Sequence, residues 1–87
     1  MDVKEAVGLA KKHVLDLFAD ERPANIGLEE VDYDDRRKVW HITIGLSRPW
    51  EREFGTISFP PPRSYEVVNI TEAGRVVSVK NHQTANA

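Results

Sequence analysis

The chain has 87 residues, of which 40% are hydrophobic and 30% charged, with a formal net charge of −2. That size allows one small domain. Its core buries roughly 60–65% of the unfolded surface, too little for a deep enclosed pocket. A slightly acidic balance argues against nucleic-acid binding, which draws on basic excess, and the absence of cysteine removes disulfides, thiolate metal sites and cysteine nucleophiles.

The start, Met1-Asp2-Val3-Lys4-Glu5, has no basic segment leading into an apolar run, so it does not read as a signal peptide. No stretch approaches the ~18 apolar residues of a membrane span. The expectation is a cytoplasmic protein without membrane contact. Val3, Ala6, Val7, Ala10, Val14, Leu17 and Phe18 recur at steps of three and four, which predicts one amphipathic helix. Asp2 and Glu5 have the spacing of a capping box, and Pro23 is the expected stop. Gly8 inside the helix costs about 1 kcal/mol relative to alanine; it reads as a tolerated surface glycine or as a point of close approach to a sheet.

After a turn at Ala24-Asn25 the period changes to two. Leu28, Val31 and Tyr33 predict a strand whose facing switches near Glu29-Glu30 through a bulge. Asp34 to Lys38 mixes acids with Arg36, Arg37 and Lys38, the composition of a solvated hairpin tip. Trp40, Ile42, Ile44 and Leu46 alternate with Val39, His41, Thr43 and Gly45, a strand whose even positions face the core with Trp40 as a large anchor. A second hairpin follows: Tyr65 to Thr71, a turn at Glu72-Ala73-Gly74-Arg75, then Val76 to Lys80. Residues 82–87 read as a frayed tail.

One helix and four antiparallel strands have an economical solution, an α+β roll in which the helix lies across one face of an αββββ meander. The expected organisation is one domain over residues 1–81, with a long loop inserted at 47–64.

The pattern resembles the PepSY family and its PepSY-like relatives. The helix Glu5-Ala6-Val7-Gly8-Leu9-Ala10-Lys11-Lys12-His13-Val14 reads like the family's "EAxxxAKKxV". The acidic strand Glu29-Glu30-Val31-Asp32-Tyr33 and the aromatic-led strand Trp40-His41-Ile42-Thr43-Ile44 follow in family order. Tyr65-Glu66-Val67 and Gly74-Arg75-Val76-Val77-Ser78-Val79 match its closing hairpin. The resemblance implies a non-catalytic domain that binds or restrains peptidases, and it transfers no catalytic residue. A cystatin-like roll is the neighbouring possibility.

Chemical motifs are sparse. His13, His41 and His82 have none of the spacings that aim two imidazoles at one ion, so no metal site is expected. Counting an EF-hand loop from Asp32 puts Arg37 and Thr43 where glycine and glutamate are needed. No nucleophile elbow, phosphate loop or dinucleotide fingerprint occurs, and no cofactor is expected. Asn69-Ile70-Thr71 matches a glycosylation sequon and is read as coincidence.

The loop is the informative element. It carries Trp50, Phe54, Ile57 and Phe59 among Arg48, Arg52 and Arg63, with Pro60-Pro61-Pro62. Tryptophan and arginine are enriched at binding hot spots, and consecutive prolines favour a semi-rigid segment that loses little entropy on docking. Three readings stand: a lid completing the core, a partner-binding surface, and a homodimer element. The sequence is read as a non-enzymatic protein- or peptide-binding module, inhibitory or regulatory. It would act through Arg48, Trp50, Arg52, Phe54, Phe59 and Arg63, or through a sheet edge. A homo-oligomeric scaffold and a small enzyme with a carboxylate/His site are the alternatives.

Overall fold

The computed structural model describes residues 1–47 and 64–81. The capping box forms as expected: the Asp2 carboxylate accepts from the Glu5 N–H at 2.8 Å, and Glu5 Oε1 accepts from the Asp2 N–H at 3.2 Å. These bonds satisfy donors that a helix start otherwise leaves unpaired. They begin helix α1, Val3–Leu17. Its end differs from expectation. The helix stops at Leu17, a 3-10 turn occupies Ala19–Glu21, and Arg22 adopts a left-handed conformation (φ 49°) immediately before Pro23. The right-handed helical region is disfavoured for a residue preceding proline, and the helix has already ended before the ring is reached.

Four strands follow: β1 (Ala24–Asp34), β2 (Val39–Ser47), β3 (Ser64–Thr71) and β4 (Val76–Asn81). They pair antiparallel in the order β1-β2-β3-β4, and α1 packs on one face, the α+β architecture read from the periodicities. Ala24 and Asn25 belong to β1 and form no turn, a second correction. Asn25 tolerates a positive φ of 55°, its side chain reaches Ser47 Oγ at 3.2 Å, and the register slips between Ala24 and Gly27. The bulge expected near Glu29-Glu30 is present, between Leu28 and Glu30.

The core is a thin layer between helix and sheet. Ala6, Ala10 and Val14, at four-residue spacing, meet Ile42, Ile44 and Leu46 of β2 and Val68 and Ile70 of β3, all fully buried. The small side chains at positions 6 and 10 let the helix backbone approach the sheet. Each large aliphatic removed from water contributes about 1.5–3 kcal/mol before chain entropy is charged against it. Trp40, expected as the anchor, is half-buried at the margin and packs on Tyr33, with ring centroids 4.7 Å apart. Its indole N–H is buried with no hydrogen-bond partner among the described residues.

Both turns are fixed by side chains. Asp34 Oδ1 accepts from the N–H groups of Arg36 and Arg37, at 3.0 and 3.1 Å. In the second turn the Arg75 N–H donates to Thr71 Oγ1 at 3.1 Å, and Gly74 takes φ +90°. The Glu72 N–H donates to the Lys38 carbonyl at 3.0 Å, tying the two turns together.

Candidate functional site

The six residues singled out for partner binding, Arg48, Trp50, Arg52, Phe54, Phe59 and Arg63, lie outside the described residues, as do the 48–63 loop and the tail. The described part carries two other surfaces, one on each side of the sheet. In the described sheet the edges are β1 and β4.

On the helix side a shallow groove of about 370 Å³ runs between α1 and β1. The helix supplies Val3 and Val7, one turn apart, and Gly8; Leu28 stands across from them on β1. Leu28 reaches this side because it pairs with Ile44, a core-facing residue. Gly8 leaves the floor low: a Cβ built there would meet nothing within 4 Å. Lys4 and Lys11 stand at the rim. Neither makes an ion pair among the described residues, and seven helical residues separate them by about 10 Å along the axis. Chemically this is an apolar trough with two unpaired cations.

On the outer side one row of polar residues crosses all four strands. Strand register sets Asp32 opposite His41, His41 opposite Asn69, and Asn69 opposite Ser78. The Asn69 amide links the row: its Oδ1 accepts from His41 Nδ1, and its Nδ2 donates to Ser78 Oγ at 2.7 Å. His41 is half-buried and held by its bond to Asn69. An aspartate, a histidine, an asparagine and a serine in one line invite a nucleophilic reading, but Asn69 stands between the hydroxyl and the imidazole. A serine nucleophile needs its oxygen on the base itself. Among the described residues no group of three or more His, Asp or Glu side chains could hold a metal ion.

A third cluster sits at the end of the sheet near both turns. The Tyr33 hydroxyl donates to Glu72 Oε2 at 2.6 Å, and the N-terminal ammonium lies 3.3 Å from Glu72 Oε1. Ionising Tyr33 would forfeit its bond to Glu72 and set two negative charges together, so its hydroxyl is pushed up to about 12; burial and the charges of Asp35 and Asp34 act in the same direction. The same hydrogen bond, with that of the ammonium, holds Glu72 below the usual carboxylate range.

Sequence reasoning missed the groove and the row for different reasons. The signal for the groove was legible in the i, i+4 pairs Val3/Val7 and Lys4/Gly8 on one flank of the helix. The row depends on strand register, which spacing within one strand does not reveal. No helix among the described residues is long and apolar enough to cross a membrane. Comparison with protein-family models, with curated proteins and with solved structures finds no match to this chain.

Proposed function

We propose that the chain is a small non-enzymatic module that binds a peptide segment of a partner protein in the groove between α1 and β1. The observation that carries this reading is the pairing of an apolar trough, Val3, Val7 and Leu28, with two rim lysines that have no anionic partner among the described residues. Unsatisfied cations beside exposed apolar surface favour a ligand with apolar side chains flanked by carboxylates, since complementary charge sets orientation and suppresses wrong partners. Leu28 remains 42% exposed, so burying it on binding recovers apolar area that the fold leaves in water. The composition of the 48–63 loop and the resemblance to PepSY domains support the same class of function.

The ~10 Å between Lys4 and Lys11 matches about three residues of extended chain. The test is titration of the 15N-labelled protein with a capped tetrapeptide, glutamate–leucine–valine–glutamate, and with its lysine-flanked counterpart. The acidic peptide should perturb the amides of Val7, Gly8 and Leu28, and the Leu28→Lys variant should abolish the effect. Equal response to both peptides, or shifts confined to other surfaces, would refute the assignment.

A further inference from the structure

The outer face of the sheet carries a second depression, of about 340 Å³, between the β1–β2 turn and β4. It shares no residue with the groove and stands independently of the function proposed for it. Its shape follows from a register fault. Asn69 pairs with Ser78 and Ile70 with Val76, so Val77 is an extra residue in β4. The bulge therefore brings both Val77 and Ser78 to the same depression, where strict alternation would have sent one of them to the core. Val77 is left 61% exposed; with Val39 it gives the depression an apolar lining.

The polar part is prearranged. Asn69 uses its Oδ1 on His41 Nδ1 and its Nδ2 on Ser78 Oγ. Ser78 thus accepts from Asn69, and its own hydroxyl hydrogen has no acceptor among the described residues. Lys80, on the same side of β4, makes no ion pair among them. Arg37 closes the other end from the turn. It is 81% exposed and only 3.9 Å from Asp34 Oδ2, too loose a contact to hold the guanidinium in place. Three donors, two of them cationic, stand around an apolar lining; Lys80 and the Ser78 hydroxyl have no acceptor among the described residues, and Arg37 has only its loose contact with Asp34.

We propose that this depression binds a small monoanion, a carboxylate carried on an apolar body. The carboxylate takes hydrogen bonds from Lys80 Nζ and the Ser78 hydroxyl, with Arg37 swinging in, and the body lies on Val77 and Val39. A single negative charge fits better than two. Of the two cations lining the depression, Arg37 is offset by Asp34, which leaves Lys80 for the ligand, and Asp32, next to His41 in the transverse row, repels a second negative charge.

Benzoate is the probe, with inorganic phosphate as the comparison anion, each titrated into the 15N-labelled full chain. For a ligand of this size the expected dissociation constant is roughly 1–10 mM. The amides of Asn69, Val77, Ser78 and Lys80 should move with benzoate and those of Val7 and Leu28 should not. Val77→Asp, at an exposed position that sets a carboxylate in the site, should abolish binding. Lys80→Ala should weaken it by roughly threefold or more, and high salt should do the same to the unaltered chain. Phosphate should bind more weakly. The proposal is overturned if benzoate leaves these amides unmoved, if Val77→Asp and Lys80→Ala bind it as the parent chain does, or if phosphate binds as well as benzoate at the same amides.

Discussion

Gly8 is the position where stability and the proposed function pull in opposite directions. It lies inside α1, is exposed, and does not use the positive φ that would exclude other residues. A Cβ built on it meets nothing within 4 Å. Gly8→Ala therefore introduces neither a clash nor a packing contact, and only the backbone effect remains. Alanine restricts the unfolded chain more than glycine does, which favours the helix by about 0.5–1 kcal/mol. For a chain of this size that raises Tm by roughly 2–8 °C. It also moves the urea midpoint up by about 0.5 M, at the m-values of ~1–2 kcal/mol/M common to small domains. Binding of the glutamate-flanked peptide should weaken modestly, because one methyl raises the groove floor. Gly8→Leu separates the two effects. Leucine is nearly as good a helix former as alanine, so most of the gain in Tm stays, while a long side chain fills the trough and peptide binding disappears. Thermal and urea unfolding give the first quantity, and the amide titration gives the second. A fall in Tm for Gly8→Ala would refute the claim that this helix flank is unconstrained. Retained binding by a stable Gly8→Leu chain would refute the groove as the peptide site.

Two further predictions rest on the turn end of the sheet. Tyr33 is held neutral by its bond to Glu72 and pushed up to about 12. The stability it contributes is therefore complete below the ordinary phenol range near pH ~10 and is lost as pH rises through about 12. Glu72→Gln should lower the tyrosinate titration of Tyr33, read by ultraviolet absorbance, towards the ordinary value, and an unchanged titration would dismiss the hydrogen bond as its cause. Glu72 itself is held low, so its contribution is complete above the ordinary carboxylate range and is lost as acid titrates it. Gly74→Ala should lose about 1–2 kcal/mol by urea unfolding, because φ is +90° and the new Cβ would stand 3.1 Å from Met1 Cε; a neutral substitution would mean that the turn relaxes freely.

The parts of the fold that the sequence made legible are those set by local chemistry. The capping box, the acidic–basic hairpin tip and the alternation of β2 each express themselves within a few residues, and each forms. The bulge near Glu29-Glu30 was also readable, because the hydrophobic spacing Leu28, Val31, Tyr33 breaks period two once. Non-local facts were not readable. Glu66 is the sharpest case. It lies only 5% exposed on the helix side of the sheet, paired with Ile44, while Tyr65 and Val67 fall to the outer side. Alternation within Tyr65-Glu66-Val67 alone would put the carboxylate outside. The register against β2 decides otherwise, since Val68 and Ile70 must face the core and every second residue follows them. The helix end misled for a related reason: Pro23 disfavours a helical Arg22, but it does not say how many residues earlier the helix has already given way to a 3-10 turn.

Among the described residues, a sheet of four strands has two faces and one helix to cover one of them. The side-chain choices follow that limit. Facing the helix, β2 spends Ile42, Ile44 and Leu46 on the core; facing out, it carries His41 and Thr43, which need polar company. The groove and the outer depression are thus consequences of the same geometry at different places: one where the helix fails to cover the edge of the sheet, the other on the face that no helix among the described residues covers. They share no lining residue, and the sheet stands between them. Substitutions with no shared partner act additively to within about 0.3–0.5 kcal/mol. Gly8→Leu should therefore leave benzoate affinity unchanged within about twofold, and Val77→Asp should leave peptide affinity unchanged to the same degree. Coupling beyond that would mean that one ligand spans both surfaces around the β1 edge, and the two assignments would then have to be replaced by a single continuous interface.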